Sequence, residues 1–274
     1  MSDPIEPPGM FFDGVAALYE RARSGYPAQL YDDLFAFAGL RASAGAGARV
    51  LEIGCASGQA SRALAERGVE LLCLEPGARL AELACSQLAA FPRVRVACTS
   101  FEDWPLENEP FDLVVAANSI QWVEPNAGVA KIARALRPGG VLALFRKLAV
   151  RSGTPLEDAI DAALPGASAF ASEPARLRKE RAFQDRRHFG DLREHQYEST
   201  QTCTAREYAE LLATQARYQR LSPEAREAGL RRVQGAVLAA GDRITVSYVT
   251  HLLLARRKPA GFWQRRRLVA LGPR

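Results

Sequence analysis

Arg49-Val-Leu-Glu-Ile-Gly54 runs directly into Cys55-Ala-Ser-Gly58. The first six residues are a short apolar run with β-branched members that stops on a glycine, the pattern of a buried strand. A helix follows over Ser57–Arg67, and Gly68 stops it. Gly54 and Gly58 let the backbone approach a ligand closely and leave the amides at the helix start open to it. The spacing is not that of a dinucleotide fingerprint, because Ala56 and Gln59 stand where G-x-G-x-x-G requires glycine. Glu52 points the same way. An acid just ahead of the turn repels a pyrophosphate but can engage a cationic amino-acid ligand.

Downstream, strands and helices alternate. Val69–Leu74, Val94–Cys98, Phe111–Ala116 and Val141–Phe145 read as strands, and Ala78–Ala90 and Asn126–Leu136 as helices. Such alternation implies a parallel sheet with helices on both faces and ligands at the carboxyl ends of the strands. Upstream, two amphipathic segments, Met10–Arg23 and Pro27–Leu40, read as helices, with Pro27 in the first turn of the second and Gly39 at its end. Ala42–Ala48 reads as a linker. After Lys147 the alternation breaks. Residues 151–193 are expected to form an arginine-rich helical cap over the pocket. His195–Thr202 reads as a strand, Ala205–Arg217 and Pro223–Ala240 as helices, and Ile244–Arg256 as a long strand. The last two strands are expected to pair antiparallel at one sheet edge. The expected fold class is therefore α/β: a Rossmann-like seven-stranded sheet with helices on both faces and the last strand antiparallel. Its parts are N-terminal lid helices (1–47), a ligand-binding core (48–150), the cap (151–193), the C-terminal part of the core sheet (194–258) and a basic tail (259–274).

The chain has 274 residues and a net charge of +5, and all but four of its 36 basic side chains are arginine. An arginine bias alongside so much alanine reflects coding composition, and it weakens any inference from charge to nucleic acid. No apolar run reaches the roughly 18 residues of a membrane span. Asp3, Glu6, Pro4, Pro7 and Pro8 make Met1–Gly9 unlike a signal peptide, so a cytoplasmic location is expected. Cys55, Cys73, Cys85, Cys98 and Cys203 read as reduced thiols. They share no zinc spacing with His188, His195 and His251, and no metal is expected.

Three further motifs fall at strand ends. Glu75, in Leu74-Glu75-Pro76, lies about 20 residues past the glycine turn, where a carboxylate accepts hydrogen bonds from ribose hydroxyls. Ser100-Phe-Glu-Asp-Trp104 offers Phe101 to a purine face and Glu102 to an exocyclic amine. Asn118 follows the fourth strand.

With these motifs in order, the chain resembles the class I S-adenosylmethionine (SAM)-dependent methyltransferases, in the group that includes small-molecule, ubiquinone-type and trans-aconitate-type enzymes. The resemblance covers Phe11–Leu144, with a weaker echo in Ala205–Arg256. It implies SAM as donor and S-adenosylhomocysteine as product. The residues it implies for that ligand are Glu52, Gly54, Cys55, Ala56, Gly58, Glu75, Pro76, Phe101, Glu102 and Asn118. Arg137-Pro-Gly-Gly140 matches the family's turn before strand five. Ala56 departs from the family, which often has glycine there. Tyr19-Glu-Arg-Ala-Arg-Ser-Gly-Tyr-Pro27 resembles a segment that closes over SAM, which makes Tyr19, Arg23 and Tyr26 lid residues.

On the acceptor side, Gln121 stands where many relatives have histidine, and Trp122 is expected to wall the pocket. Arg146, with Lys147, is placed to hold an acidic acceptor. Gln121 cannot take a proton at neutral pH, so no base is assigned; the catalytic candidates are Gln121, His188 and His195. We expect a small-molecule acceptor, as in specialised metabolism, with no nucleic-acid or membrane partner, and a monomer or homodimer. RNA or protein methylation, and SAM binding without catalysis, remain the alternatives. An NAD-dependent dehydrogenase is disfavoured by the failed fingerprint.

Overall fold

The computed structural model describes residues 10–40, 47–163, 183, 185 and 187–259. Three helices lead in: α1 (Met10–Asp13), α2 (Ala16–Ala22) and α3 (Ala28–Ala38). The core then runs β1 (Arg49–Ile53), α4 (Gln59–Ala65), β2 (Glu70–Leu74), α5 (Ala78–Gln87), β3 (Val94–Ala97), β4 (Phe111–Ala117), α6 (Pro125–Ala135) and β5 (Leu136–Val150). It is completed by α7 (Pro155–Ala163), β6 (Phe189–Cys203), α8 (Ala205–Ala213), α9 (Ala216–Gln219), α10 (Pro223–Ala239) and β7 (Ile244–Arg257). The strands form one sheet in the order β3-β2-β1-β4-β5-β7-β6. β1 pairs parallel with β2 and β4, whereas β7 runs antiparallel between β5 and β6.

The period-2 rule sorts the core. Leu51, Ile53, Leu72, Leu74, Val114 and Leu144 pack on one face with Val129 and Ile132 of α6. Val50, Leu71, Cys73, Val115, Ala143 and Phe145 pack on the other with α3 and α4. Glu52 has the same parity as Val50, so its carboxylate is driven into that second apolar layer, paired in register with Cys73 and Val115.

The first expected helix is broken at Gly14-Val15 into α1 and α2. The break has a tertiary cause. Gly77 begins α5 without a capping side chain, and Asp13 supplies the cap from α1: its Oδ1 accepts from the amides of Arg79 (2.7 Å) and Leu80 (3.0 Å). This tie draws α1 across the strand ends. Pro27 caps α3 from just outside it, and Gly39 ends it in the left-handed region at φ 69°.

The cap boundary is corrected. Residues 189–193 belong to β6, so only α7 lies in the described part of 151–188. Ile160 of α7 is buried with Tyr208, Val233 and Val237 in a third cluster under the C-terminal helices, and no α7 residue lines a cavity described below. Residues 164–182, 184 and 186, and the basic tail from 260 onward, lie outside the described residues, as do 1–9 and 41–46 of the expected lid and linker. Among the described residues, no helix is long and apolar enough to cross a membrane.

Candidate active site

Two cavities open at the carboxyl ends of β1, β2 and β4. One, of about 680 Å³, is lined by Glu75, Pro76, Phe101, Glu102, Trp122 and Phe12, among others. The other, of about 550 Å³, is lined by Arg23, Tyr26, Glu52, Cys55, Lys147 and Tyr248, among others. Tyr19, Gly54, Ala56, Ala117 and Asn118 line both, so the two join at the glycine turn.

The turn brings backbone close to both cavities. Gly54 and Cys55 donate to the Leu74 carbonyl at 2.8 and 3.0 Å, which locks the end of β1 against the end of β2. Gly54 sits at φ +69°, and a Cβ there would lie 2.7 Å from the Ser119 Cβ. Ser119 Oγ in turn donates to the Ile53 carbonyl, so it cannot withdraw without losing a buried bond. We therefore expect Gly54→Ala to cost about 2 kcal/mol of stability. Urea unfolding measures this, and a change within 0.5 kcal/mol, about the usual surface-substitution scatter, would show the contact to be soft. Ala56 and Asn118 also have positive φ, 50° and 54°. Non-glycine residues in this region are strained, and such strain concentrates at functional sites.

Glu75 ends β2, 5% exposed, and faces the first cavity. Its Oε2 accepts from the Ala56 amide and its Oε1 from the Gly77 amide, both at 2.9 Å. Burial raises its pKa, and those two amide bonds act in the opposite direction. Phe101 lines the same cavity, but it is 4% exposed and stacks on Trp104 at 6.3 Å, so it serves the core as well. Glu102 lies at the rim and accepts from the Glu124 amide at 3.3 Å. Phe12, which the sequence did not single out, packs edge-on against Trp122 (6.1 Å) and Tyr19 (5.7 Å) to roof the cavity.

Glu52 is 1% exposed and lines the second cavity. Its Oε2 accepts from Ser61 Oγ at 2.6 Å, while its Oε1 has no hydrogen-bond partner among the described residues. Burial is the main cause that pushes this carboxyl up to about 7, and the nearby Glu75 adds to it. Asn118 is fixed on two sides: its Nδ2 donates to the Tyr26 hydroxyl at 3.0 Å and its Oδ1 accepts from the Lys147 amide at 3.0 Å. Burial raises Tyr19 and Tyr26 and pushes Tyr248 up to about 12, so these phenols stay protonated at neutral pH. Arg23 lies over the Tyr19 ring and donates to Oγ1 and the carbonyl of Thr214 in the loop after α8.

Several expected site residues fall elsewhere. Arg146 lines neither cavity; Lys147 does, because adjacent strand residues point to opposite faces. Gln121 also lines neither: its Nε2 donates to the Asn118 carbonyl at 2.6 Å and braces the 3-10 turn Ile120–Trp122. Trp122 lies on the Glu75 side, not in the cavity that holds Lys147. Gly58 lines neither cavity; at φ +98° it starts α4, where a Cβ would lie 3.5 Å from Leu88 Cδ1. His188 lies in the turn before β6, where its carbonyl accepts from the Lys258 amide. His195 stacks on Tyr197 at 6.4 Å along β6, and neither histidine lines either of these two cavities. Gln121→Ala should therefore lower stability by about 1 kcal/mol through the lost bond to Asn118. A selective loss of turnover with unchanged melting would contradict that bracing role.

A parallel sheet with an antiparallel addition and two joined cavities at its strand ends defines a Rossmann-like architecture. Residues 51–144 match the methyltransferase domain family. An uncharacterized methyltransferase of Mycobacterium tuberculosis strain H37Rv is 32% identical over 133 residues, 48% of this chain and 50% of that protein. The malonyl-acyl-carrier-protein O-methyltransferase of Enterobacter lignolyticus is 37% identical over 131 residues, 47% of this chain and 51% of that protein. The chain thus spans about half the length of these relatives. Among solved structures, a putative type II methyltransferase from Anaeromyxobacter dehalogenans shares the fold with a TM-score of 0.60 at 23% identity, over 86% of this chain and 97% of that one. Residues 51–144 are thus a methyltransferase domain in a Rossmann-like fold.

Proposed function

We propose that the protein transfers a methyl group from SAM to a small-molecule acceptor, with the donor's adenosyl part in the Glu75 cavity and the acceptor in the Lys147 cavity. The observation that carries this reading is the Glu75 carboxylate. It is held by two backbone amides at the end of β2, and it faces a cavity that opens past Asn118 into a second one. The residues fit the donor. Glu75 retains acceptor lone pairs for a ribose diol. Gly54, at positive φ, turns the chain where the two cavities meet. The unpartnered Oε1 of Glu52 suits an ammonium group.

When bound, SAM supplies a methyl group on a sulfonium, which an acceptor lone pair displaces in line while sulfur keeps the electron pair of the breaking bond. The chain's part is positioning and exclusion of water, which together can account for on the order of 7–11 kcal/mol of a barrier. Phe12, Tyr19 and Trp122 roof the donor side with apolar rings, and Tyr26 and Asn118 shape the junction. The reading takes the protein to act in the cytoplasm, as a monomer or homodimer, without nucleic acid or membrane.

Calorimetric titration with S-adenosylhomocysteine tests the donor site. The expected result is one site per chain with a Kd of about 1–100 μM. Failure to bind would overturn the reading. Binding without S-adenosylhomocysteine formation from SAM, across an acceptor panel, would favour the binding-only alternative.

A further inference from the structure

We infer that the acceptor carries a carboxylate, held in the second cavity by the Lys147 ammonium with Arg23 beside it. This deepens the functional reading above and rests on it only in treating the bound acid as the acceptor.

Lys147 is half-buried at the end of β5. Its Nζ donates to Ser24 Oγ at 2.6 Å and to the Gly25 carbonyl at 3.2 Å, and it lies 4.5 Å from the centroid of the Tyr248 ring. An ammonium has three donors, and the third meets no protein acceptor among the described residues. Arg23 lines the same cavity. Its Nε and Nη2 are taken by Thr214, and its Nη1 makes no hydrogen bond among the described residues. Neither cation forms an ion pair with an acid among the described residues. Burial and the like charge of Arg23 together hold Lys147 down at about 8, with no carboxylate acting against them. Glu52 lines the cavity too, but it is 1% exposed, bound to Ser61, and is not among the groups that shift Lys147.

Two neighbouring cations without a counter-ion repel each other, and an arriving anion relieves that repulsion. A carboxylate offers two oxygens to the two cations. The Tyr248 ring and Leu211 leave apolar wall for the rest of an organic acid. A phosphate dianion asks for more N–H donors than these two side chains leave open. Ser24 is already committed, since its hydroxyl accepts from Lys147 and donates to Gln201 Oε1 at 2.9 Å.

The test is binding, not turnover. Ligand-observed NMR on the full chain saturated with S-adenosylhomocysteine would compare benzoate, hexanoate and succinate with benzamide, hexanamide and methyl phosphate. At least one acid should bind about tenfold more tightly than its amide, and Lys147→Met should weaken that acid about tenfold or more. Lys147→Arg should keep the affinity within about threefold, because an anion clamp needs the charge and a proton-abstracting amine does not survive that change. S-adenosylhomocysteine affinity should be the same in all three proteins. Acids binding no better than amides, or methyl phosphate binding more tightly than the acids, would overturn the inference. So would Lys147→Met losing S-adenosylhomocysteine in place of the acid, since the lysine would then serve the donor. Should wild-type protein bind no S-adenosylhomocysteine, the donor reading fails alone, and the acid comparison is read on the ligand-free protein.

Discussion

Glu75→Gln should lower the affinity for S-adenosylhomocysteine by about two to three orders of magnitude, with the fold retained. The buried carboxylate already accepts from the Ala56 and Gly77 amides. An ionised carboxylate has about four acceptor sites, so roughly two remain for a ribose diol. Hydrogen bonds to a charged group are worth about 1.5–3 kcal/mol each, and two of them account for the predicted loss. Glutamine keeps the volume but turns one acceptor into a donor. That amide then either meets a backbone N–H donor to donor or forces a ribose hydroxyl to turn and accept in place of donating to a charge. Glu75→Asp retains the charge and pulls it back along β2, so it should recover part of the affinity. Calorimetry on all three proteins, with melting curves as a control, decides the matter. Affinity within about threefold of wild type in Glu75→Gln would remove Glu75 from the donor site, because a single lost charged bond already exceeds that factor.

The Glu75 side of the candidate site was legible because its signals are local. Gly54, Glu75, Phe101 and Asn118 each follow a strand that the apolar pattern marks, and strand ends in a parallel sheet gather at one edge. The Lys147 side depends on parity and on long-range contact. Choosing Lys147 over Arg146 needs the register of β5 against β7, in which Arg146 pairs with His251 and Lys147 with Thr250. The Arg23–Thr214 and Ser24–Gln201 contacts join residues 191 and 177 positions apart, and nothing local announces them. Tyr248 was visible as part of an alternating run. Its arrival beside Lys147 follows from antiparallel pairing, which alternation does not specify. The break between α1 and α2 belongs to the same class, since it depends on Asp13 capping a helix that begins more than sixty residues later. The Gln121-Trp122 pair shows the complementary limit. A 3-10 turn turns successive side chains by about 120°, so one tryptophan reaches the Glu75 cavity while its neighbour braces the backbone behind it.

As pH rises from about 5 to 8, the ligand-free protein should lose stability while its affinity for S-adenosylhomocysteine grows, and Glu52 is the shared cause. Its folded pKa of about 7 lies above the ordinary carboxyl value of 4.5. The native state therefore holds a proton that the unfolded chain has released between those two values. Stability falls with pH wherever the native state binds more protons, so the loss begins near the lower value and is complete once pH passes the upper one. The full difference is about 3 kcal/mol. Glu75, also raised, adds in the same direction. Ligand binding has the opposite sign, because an ammonium beside the ionised carboxylate offsets the charge that burial disfavours. Below pH 7, affinity should then rise by up to about tenfold per pH unit, with close to one proton released per ligand bound. Glu52→Gln separates this charge from every other group. It should flatten the stability profile, melt above wild type at about pH 8, and bind S-adenosylhomocysteine about tenfold or more weakly there. A carboxylate with only a structural role would not give those opposite signs, since losing its bond to Ser61 would lower stability and leave the ligand untouched. Denaturant unfolding across the pH series gives the first sign. Calorimetry in two buffers of different ionisation enthalpy gives the second and counts the proton. A variant that melts below wild type at alkaline pH, or that keeps full affinity, would show that this buried acid is not the ammonium partner.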